Sequence, residues 1–334
     1  MDVPSSPMTI AAVADGFSSV EDAMVRIDRH LRRARRSGAR LVVFPECALG
    51  GYLAAKAPGA APEPGTPLSL DGPELEQVAE LAGDTVVCVG ITEDAPEGPY
   101  SSAVCLDGSG ILGVQRKVHL PPGEKNVFLP GDGFAALDTP VGRIGMLVCY
   151  DKCFPEAALA LALDGAEVVA SLAAWPLERK GLGFGRRRDI QARHFDLLDE
   201  ARAVENQIVW VSANYHGSYG GRTFGGRAKV VHPDGRVLAC TGRSGGLATA
   251  TIDPATAVAG VRAPYTHLVD RRPAAYAPPA RAASTAGPAG ATAQGSGPLG
   301  RVRDRAQRGR TAPAAHSVAA TMAARRRFAA GTAR

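Results

Sequence analysis

From residue 9 to residue 252, short apolar runs alternate with segments of helical period, and tight hairpins interrupt the alternation. Strands joined by helices return parallel to one another, whereas strands joined by two or three turn residues return antiparallel. A chain that carries both signals cannot build a purely parallel doubly wound sheet, so an α/β domain with mixed sheets is expected. Ser18 and Glu21 make a Ser-x-x-Glu helix start, Met24, Ile27, Leu31 and Ala34 follow at helical spacing, and Gly38 ends the run. Further helices are predicted over residues 73–82, over 155–163 (Pro155 in the first turn, Gly165 as the stop) and near 189–206. Strands are predicted over 9–13, 41–44, 85–91, 168–172, 208–212 and 247–252. Three hairpins are predicted: 103–106 with 111–116 across Asp107-Gly108, 134–137 with 143–148 across Pro140-Val141-Gly142, and 228–231 with 236–239 across Pro233-Asp234-Gly235.

Composition narrows the classes of function. The net charge of +5 belongs to the end of the chain: residues 281–334 hold ten Arg and one acid, which leaves 28 basic against 32 acidic side chains in residues 1–280. After Tyr276 the pattern dissolves into Ala, Pro, Gly, Ser and Arg. Such a composition buries too little apolar surface to offset the entropy of ordering, so residues 281–334 are expected to be a disordered basic tail on a folded 1–280 domain. The tail has one aromatic residue, Phe328, and the body is acidic, so nucleic acid is not an expected partner. No run approaches the roughly 18 apolar residues of a membrane helix, and residues 1–10 lack a signal-peptide pattern; a cytoplasmic location without a membrane partner is expected. Cys47, Cys88, Cys105, Cys149, Cys153 and Cys240 are dispersed, with no CxxC pair and no His-rich segment beside Cys149 and Cys153. They read as free thiols, and neither a metal nor an organic cofactor is expected.

Three predicted strands deliver a reactive side chain at their ends: Glu46 after LVVFP, Lys117 after VQR and Cys149 after GMLV. Strand ends are rigid platforms that open onto loops. Each residue alone is ordinary, since such a Glu or Lys usually meets solvent and a buried Cys is usually inert. Together they make chemical sense. A free cysteine is only slightly ionised at neutral pH; a carboxylate can take its proton and an ammonium can favour the anion.

The order and spacing of these stretches resemble the nitrilase superfamily of carbon–nitrogen hydrolases, from about Thr9 to Tyr276. The matching segments are VVFPECALGGY, QRKVHLPPGE, FLPGDGF, VGRIGMLVCYDKCFPEAALALALDGAEVV, the Trp175-Pro176 pair, ARAVENQIVWVSAN, FGGRAKVVHPDGRVLA and DRRPAAY, with 71 residues from Glu46 to Lys117 and 32 from Lys117 to Cys149. The resemblance implies a four-layer α-β-β-α sandwich with mixed sheets. It also implies a Glu46–Lys117–Cys149 triad that hydrolyses a small substrate's non-peptide C–N bond through a thioester, releasing ammonia or an amine. Glu124 would help to position the lysine and the substrate, and the backbone N–H of Tyr150 would be an oxyanion donor. Pocket walls would come from Tyr52, Trp175 and Phe224, and the chain would form a homodimer or larger homo-oligomer through helices flanking the nucleophile strand. Arg179, Lys180 and residues 186–188 would hold a substrate carboxylate or, more commonly for such a cluster, form a solvated charge run. Nitrile-cleaving members typically carry Trp-Glu after the cysteine, whereas this chain has Tyr150-Asp151, which favours a small-molecule amide or N-carbamoyl substrate. A nitrilase, and a catalytically silent scaffold of the same fold, are the alternatives. Cys47 and Cys153 are read as packing residues and His119 as structural. So are residues 202–206, with Glu205 a candidate for a buried polar network.

Overall fold

The computed structural model describes residues 6–55, 61–178 and 189–276. The chain opens with β1 (Met8–Asp15), α1 (Val20–Arg36), β2 (Ala39–Val43), the short pair β3 (Ala54–Ala55) and β4 (Pro62–Glu63), and α2 (Pro73–Ala82). It continues through β5 (Val86–Ala95), β6 (Gly98–Asp107), β7 (Gly110–Arg116), β8 (Leu137–Thr139) and β9 (Gly142–Val148). A 3-10 turn (Cys149–Cys153) leads into α3 (Pro155–Leu163), β10 (Val168–Ala173), α4 (Ile190–Asn206) and β11 (Val209–Tyr219). The described chain closes with β12 (Arg222–Gly225), β13 (Lys229–Val231), β14 (Val237–Cys240), β15 (Gly246–Ile252), α5 (Pro254–Arg262) and α6 (Pro273–Tyr276).

The main sheet runs β7-β6-β5-β2-β1-β11-β10-β9-β8. Its middle, β5-β2-β1-β11-β10-β9, is parallel, while β6, β7, β8 and β15 pair antiparallel to their neighbours. The sheet is mixed, as the sequence predicts. Successive side chains of a strand point to opposite faces, and the three cores follow that period. Ala11, Val13, Val42, Phe44, Val87 and Val89 pack with Ile27, Leu31 and Val78 of α1 and α2. The alternate residues Ile10, Ala12, Leu41, Val43, Val86 and Cys88 meet Ile144, Met146, Val148, Ala170 and Val211 from the other half of the sheet. Leu147, Val169 and Trp210 turn away from that centre and pack with Ala157, Leu161 and Ala203 of α3 and α4. Helices, sheet, sheet and helices thus form the α-β-β-α sandwich.

Several boundaries differ from the sequence reading. Helix α1 is capped by Ser19, whose hydroxyl accepts from the Asp22 N–H, and the Asp22 carboxylate reaches back to the N–H and hydroxyl of Ser18. Two serines followed by two acids fit the cap pattern in either register, and the Asp22 register also gains an ion pair with Arg26. The strand predicted over 134–137 lies at Leu137–Thr139, because the Ala136 N–H donates to Asp164 and leaves the ladder. The β5–β6 and β11–β12 hairpins and α5 were not anticipated. Among the described residues no helix is long and apolar enough to cross a membrane. The tail and the 179–188 charge run lie outside the described residues.

Candidate active site

Glu46, Lys117 and Cys149 all leave the sheet at strand ends, just after β2, β7 and β9. In open α/β sheets such ends face a common crevice. The Lys117 backbone is fixed on both sides: its N–H donates to Ser101 O and its carbonyl accepts from Gly131. Its Nζ lies 2.7 Å from Glu46 Oε1 and 2.7 Å from Glu124 Oε2, and all three side chains are at most 1% exposed. Glu46 is held from two further sides. Ser101 Oγ donates to Oε1 at 3.0 Å, and the N–H of Ala174, just past β10, donates to Oε2 at 3.0 Å. Tyr52 donates its hydroxyl to Glu124 Oε1 at 2.6 Å.

The approach of Glu46 depends on Gly90. A Cβ at that position would lie 2.4 Å from Cys47 N and Pro45 O and 2.5 Å from Glu46 Cα. Only a glycine lets the loop after β2 lie directly on β5, where Gly90 N–H donates to Pro45 O and Gly90 O accepts from Leu49.

Cys149 opens the 3-10 turn with φ +50, a left-handed value that costs a non-glycine residue energy and persists only when neighbours enforce it. Asp151 supplies much of that enforcement. One carboxylate oxygen accepts from the backbone N–H of His119 at 2.8 Å and bonds its ring Nδ1 at 2.9 Å; the other accepts from the Val148 N–H at 3.2 Å. Asp151 therefore ties the segment after Lys117 to the segment before Cys149. His119, read as structural, also stacks on Phe154 with centroids 3.7 Å apart.

Burial pushes the Cys149 thiol well above its usual range, and Glu46 adds to this while Lys117 opposes it. Burial would lower the Lys117 ammonium, but Glu124 and Glu46 raise it well above the ordinary lysine value. Burial also raises Glu124, against the pull of Lys117. The resting cluster holds a charged lysine, two carboxyl groups and a protonated thiol.

Of the three aromatic residues expected to wall a pocket, Tyr52 and Phe224 pack together, whereas the Trp175 ring belongs to the other core. Pro176 and Phe224 form an antiparallel bridge, and Phe224 packs edge-on against Tyr52. The Trp175 N–H donates to Asn214 Oδ1 at 2.8 Å, and its indole packs on Phe195. A cleft of about 570 Å³ is lined by His119, Leu120, Lys125, Phe128, Tyr150 and Phe154, and by none of Tyr52, Trp175 and Phe224. Cys47 is buried at the foot of Glu46 and its thiol is pushed up to about 12 by burial, then by Glu46. All six cysteines are free.

One expectation is corrected. Glu205 is half-exposed and pairs with the buried Arg202 three residues earlier on α4. The buried polar network is centred instead on Asp199, which binds Lys152, Lys229 and the Trp210 indole N–H. Among the described residues no group of three His, Cys, Asp or Glu is arranged to hold a metal ion. Sequence reasoning also missed Ser101, Asn214 and the anchoring role of Asp151. Of these, only Asp151, two residues from Cys149, carried a positional signal.

A layered mixed sheet with a cysteine on a strained strand-end turn, facing a buried Glu–Lys–Glu cluster, defines a class of hydrolase scaffold. Residues 9–260 match the model of the carbon-nitrogen hydrolase family, and the chain belongs to that family, the nitrilase superfamily, on its amidase-like branch. It is 30% identical over 257 residues to the N-carbamoylputrescine amidase of Solanum lycopersicum, covering 70% of this chain and 82% of that one. It is 33% identical over 235 residues to an (R)-stereoselective amidase of a Pseudomonas species, covering 70% and 79%. The carbon-nitrogen hydrolase of Helicobacter pylori superimposes with a TM-score of 0.70 at 26% identity, over 81% of this chain and 97% of that one. A mutant amidase of a Nesterenkonia species, showing covalent addition of the acetamide moiety of fluoroacetamide at the active site cysteine, superimposes with a TM-score of 0.63 at 26% identity, over 81% and 96%. At family level the protein is a cysteine-bearing hydrolase of carbon–nitrogen bonds.

Proposed function

We propose that this protein is an amidase-type hydrolase in which Cys149 attacks the carbonyl carbon of a small primary amide or N-carbamoyl compound. The observation that carries this reading is the burial of Glu46, Lys117 and Glu124 as one hydrogen-bonded cluster that faces Cys149. Because the resting thiol is protonated, attack and proton transfer go together. Sγ bonds to carbon as its proton passes to Glu46, and the carbonyl π electrons move onto oxygen. Lys117 and the Tyr150 N–H stabilise that oxyanion. Collapse expels ammonia or an amine, protonated by Glu46, and leaves a thioester on Cys149. Glu46 then takes a proton from water, which attacks the thioester and releases the acid and the thiol. Glu124 and Tyr52 hold Lys117 on station, and Tyr52, Trp175 and Phe224 wall the acyl group.

Relatives named as amidases, and Tyr150-Asp151 after the nucleophile, support the amide over the nitrile. A relative from Pyrococcus abyssi is named a nitrilase, so product analysis with paired substrates is the deciding measurement. A screen of primary amides, N-carbamoyl compounds and nitriles with ammonia detection tests the activity. A slowly deacylating substrate should leave an acyl mass on the Cys149 peptide. Faster conversion of a nitrile than of its matching amide would overturn the substrate assignment. The reading confines catalysis to residues 1–280, so removing 281–334 should leave turnover unchanged. It also includes a homodimer through α3, whose Ala- and Leu-rich sequence ends in the half-exposed Leu163. Sedimentation showing only monomer at micromolar concentration would refute that assembly.

A further inference from the structure

Behind the nucleophile turn lies a second buried charge cluster that the proposed mechanism does not use. Lys152, the fourth residue of the 3-10 turn, is 0% exposed, and its Nζ lies 2.8 Å from Asp199 Oδ1 on α4. Lys229 on β13 binds the other Asp199 oxygen at 2.9 Å and reaches Asp196 at 2.7 Å. Arg227 also pairs with Asp196. Three cations thus meet two carboxylates, a surplus of one positive charge. The site on the other side of Cys149 has the opposite surplus, with Glu46 and Glu124 against Lys117.

The Lys152 charge and Cys149 share one environment. Lys152 follows Cys149 by three residues in the same five-residue turn. The ammonium also sits over the Phe195 ring at 3.3 Å and the Trp175 ring at 5.1 Å, and Cys149, Trp175 and Phe195 belong to one apolar core. In such surroundings a charge acts with little screening. Helix α4 fixes the arrangement, since Arg202 Nε donates to the Lys152 carbonyl at 3.0 Å.

We propose that Lys152 is a positioning residue for Cys149, and that its ammonium, held under the turn by Asp199, is a second buried positive charge favouring the thiolate. The inference rests on the reading of Cys149 as nucleophile. Burial draws Lys152 down, Asp199 draws it up, Lys229 opposes that, and a charged Cys149 would raise it further. The groups facing Cys149 from other elements are Glu46, Lys117, Glu124 and Tyr52. Lys152 therefore adds to Lys117 against two carboxylates.

Iodoacetamide, a small amide-shaped alkylating reagent, reads the thiolate directly. The modified residue is located by fragment-ion mass spectrometry, because Cys153 and Cys240 are accessible too. Lys152→Met leaves Asp199 partnered by Lys229 and by the Trp210 indole at 2.9 Å, so the variant is expected to fold. Its alkylation at Cys149 should be about tenfold slower at neutral pH, with the midpoint of the pH–rate profile moved up by about one unit. On an amide substrate kcat should fall about tenfold with KM changed less than about twofold. Should Lys152→Met not fold, Lys152→Gln keeps a donor to Asp199 without the charge and should show the same shift. A wild-type alkylation rate and midpoint in a folded variant overturns the inference, however far thermal stability drops. Cys149→Ala separates the two levels: surviving turnover would sink the nucleophile assignment itself. Lost turnover there, beside an unshifted Lys152→Met profile, would sink only the role of Lys152.

Discussion

Gly90→Ala offers a test of how the site is built that touches none of its functional groups. The added methyl would stand 2.4–2.5 Å from three atoms, Cys47 N, Pro45 O and Glu46 Cα, all of them backbone. Carbon needs roughly 3.5 Å to such neighbours, so the loop must lift by about 1 Å, since no side chain can rotate out of the way. The two hydrogen bonds between Gly90 and the loop stretch with it. Overpacking of this kind costs about 1–3 kcal/mol, which for a body of this size lowers Tm by roughly 2–12 °C. Moving a reacting group by about 1 Å costs on the order of 100-fold in rate, and Glu46 is the group that moves. The measurement is kcat/KM by ammonia release together with thermal unfolding, and Gly260→Ala, whose added methyl meets nothing within 4 Å, is the control. The expected outcome is a folded Gly90→Ala protein whose rate loss far exceeds its stability loss. Wild-type kcat/KM in that variant would refute the claim that close packing on β5 sets the position of Glu46.

Other perturbations have equally definite outcomes. Cys149→Ala should abolish turnover, while Cys47→Ala and Cys153→Ala should each retain most of it; an inactive Cys153→Ala would misplace the nucleophile. Tyr52→Phe removes one donor to Glu124 and should lower kcat by roughly tenfold at unchanged fold, with no change in rate refuting a role for that hydrogen bond. Burial alone would raise the Asp15 carboxyl, but the hydrogen bonds of His30 and the Gly16 N–H, with the charge of Arg26, hold it near about 2 against an ordinary 3.8. A folded value below the unfolded one gives stability that is present above about pH 4 and lost as pH falls toward 2. Asp15→Asn should therefore unfold more easily by about 2 kcal/mol at neutral pH in urea titrations, with the deficit shrinking below pH 4. A deficit independent of pH would refute the linkage.

What the sequence disclosed followed local chemistry. Helices α2 and α3 appeared at their observed bounds because Pro73 and Pro155 sit where a first-turn proline belongs and Gly83 and Gly165 follow the last turns. Glu46, Lys117 and Cys149 were legible because each ends a strand in a recognisable segment. Helix α5 could have been found from Asp253, whose side chain caps it, followed by Pro254. The β5–β6 turn carried Pro96-Glu97-Gly98, which the neighbouring Asp107-Gly108 signal overshadowed. The Asp199 network was not legible in principle. Lys152, Asp199 and Lys229 lie on three different elements, and a charged residue in sequence reads as exposed until the fold shows its partner. Glu205 failed for the converse reason: Arg202, Ala203 and Asn206 nearby are buried, but Glu205 shares the outward face of α4 with the exposed Val204.

The bond from the Ala174 N–H to Glu46 spans 128 residues, and the Tyr215 hydroxyl reaches the Cys47 carbonyl across 168. A chain still emerging from the ribosome therefore cannot complete the Glu46 cradle until β10 and β11 have been made and docked. Until then Glu46 lacks its fixed orientation and Cys149 is an unassisted thiol. Chemical competence is consequently a late property of biosynthesis, and regained turnover in refolding experiments should follow the slowest structural phase and lag behind collapse. On the proposed mechanism a copy that ends before β10 and β11 should therefore be inert, so proofreading of the finished fold is written into the reaction itself.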